Sequence, residues 1–141
     1  MKVLSTILIL AFATFVQGAV IEEDVCEFGE WYGVVCKVDH KIVKKEIVVF
    51  SHSNMASLVV SISQSGPEFT VSAGIQNMKP DAEIIVFIDD QAGVQYLDQR
   101  LLVGFKRGKT TEIHFVDSAN RQHKELFSLK GFSKAYRWLS H

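Results

Sequence analysis

Histidine is the side chain best suited to proton transfer and metal binding near neutral pH, and five histidines occur in this 141-residue chain. They are dispersed, at positions 40, 52, 114, 123 and 141. His114 and His123 fall on the two strands of a predicted hairpin, where they and Glu112 could converge on a zinc ion. Counting across the turn of that hairpin places His114 near Glu125. Two histidines on neighbouring strands are far more often ordinary surface residues, so the sequence predicts neither a metal ion nor a cofactor.

Motifs that identify a catalytic site do not occur in this sequence. It contains no Gly-x-Ser-x-Gly nucleophile elbow, no His-Glu-x-x-His zinc motif, no Walker loop and no Gly-x-Gly-x-x-Gly dinucleotide loop. The adjacent carboxylates of Asp89 and Asp90 lack the alternating ligands of an EF-hand calcium loop, so they are predicted to form a turn. The sequence therefore predicts a protein that is not an enzyme, and a hydrolase with an unfamiliar site is the alternative.

The first residues have the composition of a secretory signal peptide. A lysine in the second position precedes an apolar run that ends at Val16, and Val16 and Gly18 are small enough for cleavage after Gly18. The run is shorter than the ~20 residues that a membrane-spanning helix needs. We therefore expect a signal peptide at 1–18 and a single domain at 19–141, without a transmembrane segment, in the periplasm or secreted.

Cys26 and Cys36 are the two cysteines of the chain. The compartments that receive exported proteins favour oxidation, so two cysteines are expected to bond to each other. Nine residues separate them, instead of the two of a Cys-x-x-Cys redox motif, and Trp31 lies inside the loop. The sequence therefore predicts a structural disulfide between Cys26 and Cys36, worth roughly 3 kcal/mol, with a redox pair as the alternative.

Trp31, Tyr32 and Trp138 are the candidate contacts with a protein partner. Trp138 falls off the apolar face of the predicted C-terminal helix and is therefore expected to be exposed, and exposed aromatic side chains are common anchors of protein interfaces. In the alternative interpretation, Trp138 covers the open end of the fold and Trp31 packs on the disulfide.

Charge is nearly balanced, with 15 Lys and Arg against 16 Asp and Glu, and the positive residues are scattered through apolar segments. This distribution argues against a nucleic-acid partner. Two small basic clusters occur, at Lys41, Lys44 and Lys45 and at Lys106, Arg107 and Lys109. They are typical of solvated turns and edge strands, with an anion site as the alternative. Ile21 to Asp24 is acidic and is predicted to be a flexible lead-in.

Alternating apolar and polar residues predict the strands that must position these side chains. The clearest hairpin joins 57–63 to 69–75, where apolar residues alternate with small polar ones. Segments rich in aromatic and β-branched residues predict further strands, at 31–38, 42–50, 83–88, 110–116 and 123–129. About eight strands with two short helices predict a mainly β fold, either an antiparallel β-sandwich or a flattened barrel.

The segment from Phe127 to Leu139 is predicted to turn from a strand directly into an amphipathic helix. Gly131 lies at the corner, where a residue without Cβ lets the backbone change direction. The apolar face of the helix follows i, i+3, i+4, i+7 spacing and consists of Phe132, Ala135, Tyr136 and Leu139. This helix gives the strands an apolar surface to pack against.

The pattern Ser-Leu-x-Gly-Phe-x-x-Ala at 128–135 resembles the C-terminal half of the invasion-associated locus B family. A short predicted helix that begins at Asp98 and contains Leu101 and Leu102, followed by the Arg107-Gly-Lys109 turn, extends the resemblance. The resemblance implies an exported bacterial protein with a mostly β fold, from a family named for entry into host cells. The matching residues are packing and turn positions, so they imply no catalytic site.

Upstream of residue 101, the resemblance is limited to a tryptophan shortly before a cysteine, here Trp31 and Cys36. Family members commonly place the partner of that cysteine downstream, whereas here Cys26 lies upstream, and a second cysteine pair of the family is absent near 89–93. Together these features predict an exported, non-enzymatic protein that binds a protein partner, on host cells or in the envelope. A periplasmic inhibitor or immunity protein that blocks a hydrolase is the alternative, because such proteins are also small, exported and held by disulfides.

Overall fold

The computed structural model of the protein describes residues 14–16 and 19–141, so most of the predicted signal peptide lies outside the described residues. The strands of this part of the chain are β1 (Thr14–Val16), β2 (Ala19–Phe28), β3 (Trp31–Val38), β4 (Lys41–Phe50), β5 (Ala56–Ser63), β6 (Gly66–Ala73), β7 (Gln76–Asn77), β8 (Ile85–Ile88), β9 (Thr110–Val116) and β10 (Gln122–Ser128). The α-helices are α1 (Leu102–Arg107), which continues a 3₁₀ turn at Gln99–Leu101, and α2 (Phe132–Leu139). Neither described helix is long and apolar enough to cross a membrane.

The strands form two antiparallel sheets, which do not close into a barrel within the described residues. The first sheet is a meander in the order β1 to β7, and the second has the order β10, β9, β8. Isolated bridges from Ser51 to Phe127 and from Met78 to Asp117 join the two sheets. The predicted mainly β fold is therefore confirmed, and the sandwich is the one of the two predicted architectures that forms.

Apolar side chains fill the space between the inner faces of the two sheets. They belong to Ile47, Val49, Leu58, Val60 and Val71 of the first sheet and to Val86, Ile113, Phe115 and Phe127 of the second. Edge-to-face aromatic contacts extend this core into the helices. The ring of Phe105 lies 5.7 Å from Phe69 and 5.4 Å from Phe132, which in turn lies 5.1 Å from Trp31. Both helices are therefore part of the core.

Gly131 forms the corner between β10 and α2, as the sequence predicts. Its φ is +94°, and a Cβ at this position would overlap the carbonyl oxygen of Phe28. The adjacent carbonyl oxygen of Lys130 accepts a hydrogen bond from the backbone N–H of Glu30 at 3.0 Å, which fixes the corner against the β2–β3 turn. The helix then buries three of the four residues on its predicted apolar face, which are Phe132, Ala135 and Leu139.

The first helical segment also begins and ends as predicted. The side chain of Asp98 accepts a hydrogen bond from the backbone N–H of Arg100 at 3.0 Å and so caps the 3₁₀ turn. Gly108 follows the last residue of α1, and its N–H donates to the carbonyl oxygen of Gly104. The two helices are linked by the hydroxyl of Ser133, which donates to the carbonyl oxygen of Lys106 at 3.1 Å.

The acidic segment at 21–24 is part of β2 and not the predicted flexible lead-in. It pairs with β3 from Ile21 onwards. Carboxylates are compatible with a strand at this place because β2 is near the edge of the sheet and its side chains reach solvent. Asp24 is also paired there, since one of its carboxylate oxygens lies 2.9 Å from the Nζ of Lys37 on β3.

The last hairpin has a register that differs by one residue from the predicted one. Gln122 pairs with Val116, so His114 lies opposite Lys124 and not near Glu125, which lies opposite Ile113. A shift of one residue moves every side chain of a strand to the other face. The side chains of His123 and Glu125 therefore share the inner face of this sheet, whereas His114 lies on its outer face.

Candidate binding surface

The predicted Cys26–Cys36 disulfide is wrong for this fold, because both residues are free thiols. They lie on the adjacent strands β2 and β3, where Cys26 pairs with Gly33 and Cys36 pairs with Glu23. Cys36 is thus three residues beyond the partner of Cys26, or about 10 Å along the strand, whereas a disulfide requires Cα atoms within about 7 Å. Because side chains alternate along a strand, an offset of three also sends the two thiols to opposite faces of the sheet.

The Cys26 thiol is half-buried on the inner face of the first sheet. Its sulfur lies 3.8 Å from the carbonyl oxygen of Gly33, to which it donates. Burial raises the pKa of the thiol, and the hydrogen bond to Gly33 and the positive charge of Lys45 oppose this shift only in part. A thiol held in its protonated form is a poor nucleophile, so this environment does not favour the alternative redox pair.

Trp31 is a core residue with no exposed surface. Its indole Nε1 donates to the carbonyl oxygen of Ser128 at 3.0 Å, and its ring meets Phe132 edge to face. These contacts join β3 to the segment that leads into α2. In this fold, Trp31 cannot touch a partner, and its contribution is to position the C-terminal segment.

Trp138 lies over the inner face of β3, so the alternative interpretation of the sequence, in which it covers the fold, agrees with its position. A Cβ at Gly33 would come within 2.7 Å of the indole ring, so the glycine is what lets the ring approach the strand. The Nζ of Lys45 lies 4.3 Å from the ring centroid and donates to the carbonyl oxygen of Trp138 at 2.9 Å. Phe28 contacts the ring at 5.5 Å. Trp138 thus holds α2 on the sheet.

Tyr32 points to the opposite, outer face of β3, where only 8% of its surface is exposed. It pairs with Glu27 on β2 and with Val48 on β4, and its ring meets Phe50 at 6.1 Å. The three predicted binding residues therefore do not form one patch. Tyr32 is the member that borders an open groove of about 360 Å³, located between the β2–β3 turn and the loop after β4.

The groove has aromatic walls and an acidic rim. Glu27 and Glu30 are exposed on one side, and His52 and Asn54 lie on the other. Burial raises the pKa of the Tyr32 hydroxyl, and the negative charges of Glu27 and Glu30 raise it further. The Tyr32 hydroxyl therefore stays protonated and neutral beside two carboxylates. Such a site suits a cationic side chain, which is attracted to carboxylates and to the face of an aromatic ring.

Apolar side chains continue from this groove along the outer face of the first sheet. Directly paired residues share a face, so Val25 and Val34 form one pair, and Tyr32, Val48 and Val59 form the next row along the strands, beside Phe50. Glu46, and not Val48, lies directly opposite Val34 on β4. All four valines are half-buried. A sheet face turned to water normally carries polar residues, so this apolar stripe departs from the expected pattern. We call the stripe and the groove together the outer-face surface.

The zinc site considered from the sequence does not form. His114 lies on the outer face of its sheet, where its Nε2 is 3.5 Å from a carboxylate oxygen of Glu112 and its ring is 5.0 Å from Phe87. His123 points to the other face, and its Nε2 is 2.8 Å from a carboxylate oxygen of Asp117. Within the described ranges, no group of three or more His, Cys, Asp or Glu side chains is placed to hold a metal ion.

Asp89 has the structural role predicted for it. Its φ is 52°, and one carboxylate oxygen accepts hydrogen bonds from the backbone N–H groups of Lys109 and Thr110 at 3.0 and 3.1 Å. These bonds tie the turn after β8 to the start of β9. The carboxylate is thus used within the fold, as expected of turn chemistry.

Sequence reasoning missed the acidic and aromatic neighbours of Tyr32. Glu27 lies in a segment without clear alternation, and Phe50 ends a run that is apolar at successive positions, so the pattern does not show which face either side chain takes. One signal was available in the sequence. The two strands at 31–50 contain more apolar residues than their one buried face can hold, so some of these residues must lie on the outer face. Only the pairing of β2, β3 and β4 shows which of them share the outer face.

No protein-family model matches the chain, and no curated protein matches its sequence. Among solved structures, the chain is similar to the crystal structure of invasion associated protein B from Bartonella henselae, with a TM-score of 0.60. The superposition covers 83% of this chain and 95% of that chain, at 12% sequence identity. A similarity at this identity shows the fold alone. The fold that the resemblance implied is therefore confirmed, and no residue role is transferred.

Proposed function

We propose that this protein is an exported, non-enzymatic binding protein whose outer-face surface contacts a protein partner. The apolar stripe on a sheet face that is turned to water carries the proposal, because burying such a stripe against a partner removes it from solvent. The acidic rim around Tyr32 orients the bound partner and favours one with basic residues at its edge. The signal-peptide pattern at 1–18 supports a periplasmic or secreted location.

The proposed role is in host interaction or in the envelope, and the name of the similar solved structure supports the first of these. That structure is of a protein named for invasion, and it shares the overall fold of this chain. Because that similarity concerns the fold, the outer-face surface is what carries the partner contact in the proposal. The partner is a protein and not a nucleic acid, since the rim of the groove is acidic.

Site-specific photo-crosslinking in cells that export the protein tests this proposal. A photoreactive amino acid at His52, on the rim of the groove, is expected to give one discrete crosslinked product. The matched control is Ile75, which is 95% exposed on the turn between β6 and β7 and lies outside the outer-face surface. Equal crosslinking from both positions, or none from His52, would contradict the proposal.

A substitution on the stripe separates specific contact from chance proximity. Val48→Lys places a charge at the centre of the stripe and is expected to abolish the crosslink from His52 while the thermal midpoint stays close to that of the wild type. Ile75→Lys, at the exposed position on the turn between β6 and β7 outside the outer-face surface, is the control and is expected to leave the crosslink unchanged.

The identity of the crosslinked protein separates the alternative functions, because a crosslinked hydrolase would indicate that this protein is an inhibitor. Substrate turnover by the purified protein, with or without metal ions, would show that it is an enzyme.

A further inference from the structure

β2 is a long strand, and along one of its edges only a short stretch pairs with another described strand. On one side it pairs with β3 from Ile21 to Phe28, and on the other it pairs with β1 only from Ala19 to Ile21. Among the described residues, no strand pairs with the outer edge from Glu22 to Glu27. An unpaired edge offers backbone N–H and C=O groups to another extended chain.

The short strand β1 shows that this edge accepts an antiparallel strand. Thr14 pairs with Ile21 and Val16 pairs with Ala19. All of β1 falls within the predicted signal peptide, so cleavage after Gly18 removes β1 and leaves the edge open from Ala19 to Glu27.

Four carboxylates decide which kind of strand fits this edge. On the inner face, Glu22 lies 3.4 Å from His40 and Asp24 lies 2.9 Å from Lys37, so both have neighbours. On the outer face are Glu23 and Glu27, and no described cationic side chain forms an ion pair with either of them. A strand added to this edge places alternate side chains beside these two carboxylates.

A second copy of the chain is a poor occupant of the edge. Antiparallel pairing of two β2 strands about Val25 sets Glu23 of each copy opposite Glu27 of the other. Like charges directly opposite each other across a strand pair are destabilising. A strand with basic residues at those two positions attracts the two carboxylates instead of repelling them. An apolar residue between the basic ones lies beside Val25.

We propose that the open edge of β2 binds an extended basic segment of the partner protein by β-strand addition. Lysine or arginine side chains of that segment lie beside Glu23 and Glu27, and an apolar side chain lies beside Val25. This inference rests on the proposed function, because it names the chemistry of the partner's segment. The edge adjoins the outer-face surface, since Glu27 also lines the groove next to Tyr32.

Titration of the protein recovered after export with a synthetic peptide tests the proposal. The probe is the blocked peptide Thr-Lys-Thr-Val-Thr-Lys-Thr, which matches the outer-face charges, and binding is followed by backbone amide shifts in the NMR spectrum. The expected shifts are concentrated at 22–27. Replacing both glutamates, in E23Q/E27Q, is expected to weaken binding by about tenfold, because two cross-strand charge pairs are lost. E68Q, the same change on distant β6, is the matched control and is expected to bind like the wild type.

Two further peptides separate strand addition from simple charge attraction. One has glutamate in place of both lysines and is expected not to bind. The other keeps the lysines but carries methyl groups on alternate backbone nitrogens, which removes hydrogen-bond donors, and it is also expected not to bind. Equal binding of the methylated peptide, or no binding of the probe, would overturn the proposal and leave the carboxylates as protection against aggregation. A specific crosslink from His52 would remain in that case, so failure of this inference is distinguishable from failure of the proposed function.

Discussion

Asp117 is a buried carboxylate that organises the turn between β9 and β10. It accepts hydrogen bonds from the N–H groups of Ala119 and Arg121 at 2.8 and 3.0 Å and lies 2.8 Å from the Nε2 of His123. The hydrogen bond with His123 is the main cause that lowers the pKa of Asp117, followed by the one from Arg121, while burial opposes the shift. The ionised form is thus the one that fits the fold.

This lowered pKa makes the stability of the protein depend on pH in the acid range. The stabilising contribution is fully present above the unfolded-state pKa of about 3.9, and it is lost as the pH falls through the lower folded-state pKa. Asp117→Asn keeps an acceptor oxygen for the turn but cannot ionise, so its stability is expected to change less with pH in this range. Urea unfolding of both proteins from about pH 5 downwards measures the difference. If the free energy of unfolding changed equally with pH in both proteins, this prediction would be contradicted.

At the scale of elements, the β10–α2 corner and the β2–β3 turn approach each other closely through their backbones. Gly131 and Gly29 face each other there, and a Cβ on Gly29 would lie 2.7 Å from the carbonyl oxygen of Lys130. This contact sets where α2 begins. The helix in turn places Trp138 over β3 and Phe132 in the core, so its start position determines the packing of both aromatic residues.

Gly131→Ala is expected to destabilise the fold by more than about 2 kcal/mol, since it combines a strained positive φ with a steric overlap. Gly74→Ala is the matched control, because Gly74 also has a positive φ, 63°, but a Cβ added there would have no atom within 4 Å. That variant should lose only about 1 kcal/mol of stability, because alanine disfavours a positive φ but meets no steric overlap there. Thermal melting of the two variants makes the comparison. Equal losses would mean that the close approach to Phe28 does not matter.

At the scale of the whole molecule, the two sheets and both helices share one core, and the C-terminal segment closes it. Leu129, Phe132 and Leu139 are buried, with 3%, 0% and 6% of their surface exposed. Each such side chain contributes about 1.5–3 kcal/mol through burial. Their sum is comparable to the total stability of a domain, about 5–15 kcal/mol. The C-terminal helix is therefore required for the fold and is not a dispensable tail.

A chain that ends at Ser128 is expected to be unfolded or aggregated for this reason. Circular dichroism and thermal melting after expression test the expectation. Removal of the exposed His141 alone is the control and should leave the thermal midpoint nearly unchanged. A truncated protein with the midpoint of the full chain would show that α2 does not belong to the core.

Local patterns in the sequence determine the kinds of element and several of their ends. Period-two alternation predicts the β5–β6 hairpin at 57–63 and 69–75, within two or three residues of its observed bounds. The i, i+3, i+4, i+7 spacing of apolar residues predicts the C-terminal helix. Gly131 predicts where this helix starts, because the positive φ at the corner is required of that single residue. The cap at Asp98 and the turn at Asp89 are similarly local.

Only the tertiary structure decides which residues meet across strands. Pairing of β2 with β3 sets Cys26 and Cys36 three positions apart on opposite faces, and that register cannot be read from composition or spacing. Trp31 is buried because its indole meets Ser128, which is 97 residues away in the chain. Tyr32, its neighbour, points the other way and borders the groove with the 8% of its surface that is exposed. Side-chain direction alternates with each residue, so an error of one position in register changes a core residue into a surface residue, and long-range pairing alone fixes that register.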